Sequence, residues 1–374
     1  MRKSKRFAAL ALVASFGLIA AACGDDEEAA TSTTEATEDT DATDTTDGTD
    51  TTMGTETTMG SDTTMGGGEA IVAGIAFDTG GRGDGTFNDS AGVGADRAAD
   101  ELGVEVKELE ASVDEDRKAN LELLAGDGAN VIVGVGFMFT DPMTEVAAAN
   151  PGITFGIVDS VVEAPNVKSL LFAEEQGSFL VGAAAALKCG CDKIGFIGGQ
   201  EIDLIKKFEA GYTAGAKYIN PDITVEVKYL GPAGDNSAWG NVAGAKEIAA
   251  GWYADGVEVI YTAAGGSGAG TIEAAVEAGK WAIGVDSDQY VTAGSPEAQG
   301  VILTSMLKRV DVAVFETIKA VQDGDTEGGI NVFDLSVDGV GYSTSGGYID
   351  EFVDQLEEIK AMIIAGDIEV PTAP

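Results

Sequence analysis

The chain has 374 residues, 63 acidic and 22 basic, for a formal net charge of −41, so nucleic acid is not expected as a partner and anionic headgroups are repelled. It contains no histidine, which removes the usual general base and the commonest transition-metal ligand. Serine–histidine and cysteine–histidine hydrolases and HExxH metalloproteases are therefore excluded, and neither a metal site nor a cofactor is expected.

At the start, Arg2, Lys3, Lys5 and Arg6 precede an apolar run from Phe7 to Ala20, and Ala21, Ala22 and Cys23 follow. This order is similar to a bacterial lipoprotein signal, in which residues 1–22 are removed and Cys23 becomes the lipid-modified first residue. Ala20 departs from the pattern, because leucine is commoner three residues before the cysteine. The apolar run is shorter than the roughly 18 to 20 residues that a membrane-spanning helix needs. The expected product is extracytoplasmic and tethered to the cell membrane by lipid. Residues 23–68 are mostly Thr, Asp, Glu and Gly, with a few Ala, Ser and Met, and end in the repeat TTMGTE-TTMGSD-TTMGGG. With so few branched or aromatic side chains they cannot offset chain ordering, and they read as an acidic, extended spacer.

From Glu69 onward apolar runs alternate with Ala/Gly-rich helical stretches, on a length that usually divides into two domains. Strands are expected at 71–77, 104–109, 131–135, 154–158 and 169–172, with helices near 90–102, 116–125 and 141–149. A second series follows: helix 176–187, strand 193–197, helix 206–219, strand 223–229, helix 239–252, strand 257–261, helix 270–277 and strand 281–285. Continuous apolar strands alternating with helices predict parallel sheets covered on both faces, in an α/β protein of two doubly wound lobes. Cys189 and Cys191, in KCGCDK, either form a small disulfide ring or are two small residues in a helix-to-strand turn; no catalytic role is assigned to them.

Several strands end in Gly, Asp or small polar residues: FDTGG at 77–81, VDS at 158–160, TAAGGSG at 262–268 and VDSDQ at 285–289. In open parallel sheets ligands bind beyond the carboxyl ends of the strands, so these loops are expected to line one cleft between the lobes. GGSGAG, at 265–270, resembles a dinucleotide loop only loosely, because its glycines do not fall in the GxGxxG order. No nucleophile–base pair stands out, and no enzyme is expected.

Six segments taken in order resemble one family. They are AFDTGGRGDGTFNDSAGVGADRA at 76–98, NPGITFGIVDS at 150–160, FAEEQGSFLVGAAAA at 172–186, KIGFIGGQEIDLIKKFEAGYTAGA at 193–216, AAGGSGAGTIEAAVEAGKWAIGVDSDQY at 263–290 and LTSMLKRVD at 303–311. The chain resembles the basic membrane protein lipoproteins, purine-nucleoside-binding components of ABC transporters. The resemblance implies a type I periplasmic-binding-protein fold, with residues 69–173 as a first lobe to which about 306–325 returns. Residues 174–305 and part of 326–374 would form the second lobe. It implies an ABC permease and ATPase as partners, and the protein is expected to be a monomer.

By the same resemblance Asp78 is the aspartate after the first strand, Phe87 stacks on a base, and Asn88 stands beside it in the motif. Asp286 holds ribose hydroxyls, Lys308 also reaches the ribose, and Gly265 and Gly266 let backbone approach the ligand. The family's second stacking aromatic is missing from LGPAGDNSAWG, at 230–240, where Trp239 stands in as a replacement. Asp84 is expected to cap a turn, and Asp159 is either a hinge hydrogen-bonding group or part of the site. Asp286 and Lys308 are expected to grip the sugar from opposite lobes, Lys308 following a crossing strand at 301–307. Independently of the resemblance, a flat π face suits Phe87, and vicinal hydroxyls suit carboxylates. Four aspartates against one lysine would repel a phosphorylated ligand. The alternative is a surface sensor or receptor of the same fold that takes a different small molecule.

Overall fold

The computed structural model describes residues 71–374. The signal segment 1–22, Cys23 and the spacer 23–68 lie outside the described residues. The first series is β1 (Val72–Phe77), α1 (Phe87–Leu102), β2 (Glu105–Glu110), α2 (Asp114–Gly126), β3 (Val131–Val135), α3 (Thr140–Ala149), β4 (Thr154–Val158) and β5 (Val167–Phe172). The second opens with α4 (Glu174–Cys189), β6 (Lys193–Glu201), α5 (Asp203–Ile219), β7 (Thr224–Pro232) and α6 (Val242–Ala254). It continues through β8 (Val259–Ala263), α7 (Gly268–Ala278), β9 (Trp281–Asp286), the short α8 (Gln289–Thr292) and α9 (Pro296–Gln299), and β10 (Ile302–Lys308). The chain ends with α10 (Val310–Gln322), β11 (Gly329–Phe333), β12 (Val340–Tyr342) and α11 (Val353–Ala365).

The strands form two sheets of the same order: β2-β1-β3-β4-β5-β11 and β7-β6-β8-β9-β10-β12. The pairings within them are parallel except for β12, which runs antiparallel to β10. Strands β3, β4 and β8 are buried along their whole length, which is why their sequences are apolar without alternation. In the first sheet α1 and α10 cover one face. On the other face Leu121 and Leu124 of α2, with Met143 and Val146 of α3, pack on Ala76, Ile132, Phe155 and Ile157. In the second sheet α4 and α5 cover one face and α6 and α7 the other. A single core runs from the α1–α10 face of one sheet to the α4–α5 face of the other.

Three expectations are corrected. The run at 301–307 does not cross between lobes: Ile302–Lys308 is a strand of the second sheet, with Leu307 opposite Asp286 of β9. The return to the first sheet therefore starts after Lys308 rather than at 306, and continues to Phe333, because β11 pairs with β5. The helix expected at 239–252 starts at Val242, where the Asn241 side chain accepts the Gly244 N–H; Trp239 instead ends a short 3-10 turn at Asn236–Trp239. Cys189 and Cys191 are joined as a disulfide at the end of α4. The close seating of α5 on α4 requires glycine at position 211, where a Cβ would lie 2.0 Å from the Glu175 carbonyl oxygen.

Candidate ligand-binding cleft

The carboxyl ends of both sheets face one cavity of about 240 Å³. In each sheet the strand order reverses beside the first strand, β1 or β6, and such a switch point leaves a crevice at the strand ends. The chain passes between the sheets after Phe172, after Lys308 and after Phe333. Asp78, Phe87, Asn88, Asp159, Trp239, Gly265, Gly266, Asp286 and Lys308 all line the cavity, and so does Asp84.

The first-lobe wall is built on the start of α1. The Asp84 carboxylate accepts the backbone N–H groups of Thr86 (2.8 Å), Asn88 (2.9 Å) and Asp89 (3.2 Å), so it caps the helix as well as facing the cavity. That cap starts α1 at Phe87, earlier than the expected Ser90, and sets the Phe87 ring at the cavity wall. Asn88 is buried; its Nδ2 donates to Asp84 (3.0 Å) and its Oδ1 accepts the Asp78 N–H (3.3 Å). Asp78 is held by a residue that sequence reasoning missed. Arg117 of α2, 3% exposed, donates from Nε (2.9 Å) and Nη2 (2.6 Å) to Asp78 Oδ1. Burial pushes the Asp78 carboxyl above its ordinary range against the pull of that guanidinium. Gly136, at φ +119°, lets β3 end beside this wall: a Cβ there would lie 3.2 Å from Asp78 Oδ2.

Asp159 and Asp286 occupy matching places, just after β4 and at the end of β9, and both take left-handed backbone, at φ 66° and 63°. Non-glycine residues are uncommon there, and such strain gathers at functional sites. Lys308 Nζ donates to Asp159 Oδ2 at 2.5 Å across the two sheets. The ammonium also lies over the rings of Phe87 (5.0 Å), Phe172 (5.1 Å) and Phe208 (5.8 Å). Burial would lower its pKa, but the carboxylates of Asp159, Glu174 and Asp286 outweigh it and hold the ammonium charged.

Asp286 is 7% exposed, and no group among the described residues donates to its carboxylate. Burial pushes its carboxyl up to about 7, Lys308 opposing and Asp159 adding to the rise. Asp286 and Lys308 end neighbouring strands of the same sheet, so they do not reach the cavity from opposite lobes; Asp159 is the group on the other side. Sequence reasoning also missed Phe137 and Phe208, which line the cavity. Phe137 meets Trp239 edge-on across the cleft, with ring centroids 6.3 Å apart, and the Trp239 indole N–H is buried with no acceptor among the described residues. The mouth is drawn together by Ser287 Oγ donating to the Thr86 carbonyl (2.8 Å) and Asn236 Nδ2 donating to Asp114 (3.0 Å).

Two like-ordered α/β sheets, triple crossing and a cavity at their facing strand ends define a type I periplasmic-binding-protein fold, the architecture of solute-binding proteins. The solved solute-binding protein of an ABC transporter system from Aeropyrum pernix matches at a TM-score of 0.69 and 29% identity, over 81% of this chain and 93% of that one. The model of the Bmp family, described as ABC transporter substrate-binding protein PnrA-like, matches residues 71–373, and the chain belongs to that family. It is a substrate-binding protein, not a catalyst. Among curated relatives, the CD4+ T-cell-stimulating antigen of Listeria monocytogenes is 35% identical over 79% of this chain and 87% of its own length. The ABC transporter nucleoside-binding protein BmpA of Lactococcus lactis is 34% identical over 81% of this chain and 89% of its own length.

Proposed function

We propose that the cleft captures a nucleoside, preferably a purine, and that the protein delivers it to an ABC permease and ATPase at the cell membrane. The observation that carries this reading is a buried Asp286 carboxylate, without a donor among the described residues, in the same small cavity as the Phe87 face. Vicinal sugar hydroxyls supply the missing donors, and a base supplies a face for Phe87, with Trp239 on the far side. Asp78 and Asn88 offer polar atoms to the base edge, and Lys308 and Asp159 offer theirs to the sugar. Four aspartates against one lysine disfavour phosphate, so a free nucleoside is preferred over a nucleotide.

Three passages between the sheets act as a hinge, and ligand drawn to both walls favours the closed form. The Lactococcus relative carries the same binding role in its name, at an identity that spans most of both chains. Cys23 carries the lipid that holds the monomer outside the membrane. Native mass spectrometry of the purified body identifies what it carries. A nucleoside mass released on denaturation supports the reading, and a sugar or peptide mass in its place refutes it.

A further inference from the structure

Glu174 does not line the cleft, and the ligand reading does not use it. It opens α4, where the chain has just left the first sheet, and it is 1% exposed. Lys308 ends β10, where the chain is about to return. The two therefore sit side by side on two of the three passages, Glu174 Oε1 standing 3.6 Å from Lys308 Nζ. Glu174 Oε2 accepts from Lys207 of α5 at 3.1 Å, while Oε1 is buried and has no hydrogen-bond partner among the described residues. An acid in the first turn of a helix normally gains from the helix dipole while remaining in water. This one has been withdrawn from water and set behind the ligand-facing ammonium.

The surrounding charges are unequal. Lys308 of β10, Asp159 after β4, Asp286 of β9 and Lys207 of α5 act on this cluster, with Glu175 beside it on α4 and the buried Tyr261 hydroxyl of β8 behind it. Three buried carboxylates thus share one buried ammonium, and Lys207, 33% exposed, compensates only from the edge. Burial raises the Glu174 carboxyl to about 7, Lys308 opposing and Asp159 adding. Ligand hydroxyls donated to Asp286 favour its ionised form, and Glu174, which meets no ligand, is the group left to hold a proton.

We propose that Glu174 is the positioning residue of Lys308: ionised, it draws the ammonium back from the cavity; by taking a proton from water as ligand closes the lobes, it frees the ammonium for the ligand. This rests on ligand binding in the cleft as proposed above. Calorimetry with inosine at pH 6 and pH 8, each in two buffers of different ionisation enthalpy, reads affinity and proton uptake together. The parent is expected to take up about one proton on binding at pH 8, with little net change in affinity between pH 6 and pH 8, because Asp286, its carboxyl also raised to about 7, gives up a proton when the ligand ionises it. Glu174→Gln, which fixes the neutral form, is expected to bind as tightly as the parent at pH 6 and about tenfold more tightly at pH 8, without uptake. A parent that takes up no proton at pH 8, or a Gln variant that binds no more tightly than the parent there, overturns the proposal.

If inosine, guanosine and adenosine all fail to bind at either pH, it is the nucleoside reading that has failed. Glu174 is then judged on the ligand-free protein by carbon-13 carboxyl NMR. A glutamate titrating near 7 and missing from Glu174→Gln supports its role, and its absence overturns it. Should the variant not fold, proton uptake and carboxyl titration in the parent decide by the same criteria.

Discussion

Replacing Asp286 by Asn should weaken the ligand and strengthen the fold, two effects of opposite sign from one side chain. Asn is the informative choice because position 286 has φ 63°, which Asn tolerates as Asp does. On the ligand side, two charge-assisted hydrogen bonds become neutral ones, at about 1 kcal/mol each, so affinity falls roughly thirtyfold. On the stability side, burial raises the Asp286 carboxyl to about 7, so the folded state holds its proton more tightly than the unfolded chain does. Such a group destabilises progressively as pH rises from about 4 to about 7, by up to about 4 kcal/mol above that window. Asn removes this penalty. The ligand-free variant should therefore melt several degrees above the parent at pH 8, less so at pH 5, and no higher below pH 4. Calorimetry with inosine and thermal melts at those pH values measure both. A variant that melts lower at pH 8 and binds as well as the parent would show that Asp286 is an ordinary turn residue.

Arg117→Met should be strongly destabilising, by about 3 to 5 kcal/mol in urea unfolding, because it leaves Asp78 buried without its guanidinium. An effect below about 1 kcal/mol would mean that water already satisfies Asp78. Phe87→Ala should lower nucleoside affinity by about tenfold through the lost stacking face, with little change in the affinity for free ribose. Equal losses for both ligands would assign Phe87 to packing. Cys23→Ala should abolish lipid labelling in cells and release the protein from membranes, and labelling that persists would remove Cys23 as the anchor.

The central strands were legible because both sheets are covered on both faces, so their apolar runs needed no partner information; β11, exposed along most of its length, and the three-residue β12 carry no such run and were missed. The acids after β4 and β9 were legible because VDS recurs at two strand ends, and in both places the aspartate takes the left-handed turn. Lys308 was found by its motif but placed on the wrong side of the cleft. The run at 301–307 reads equally well as a crossing segment or a sheet strand, and only its pairing with β9 decides. Arg117 left no local signal: it stands among charges in DEDRKAN, 39 positions from Asp78, and its burial follows from tertiary packing. Glu174 was hidden differently, since an acid opening a helix is ordinarily solvated and only its tertiary neighbours, Lys308 and Lys207 among them, bury it. Trp239 was placed on a helix because the Asn241 cap two residues later competes poorly, in sequence, with an Ala-rich run.

The most direct test of the account is calorimetry of the folded body against a panel of inosine, guanosine, adenosine, free ribose, arabinose and the corresponding nucleoside monophosphates. Saturable binding of at least one purine nucleoside is expected, with much weaker binding of the sugars because Phe87 then has no partner, and no measurable binding of the monophosphates. Binding of a sugar alone, or of a monophosphate as tightly as its nucleoside, would contradict it.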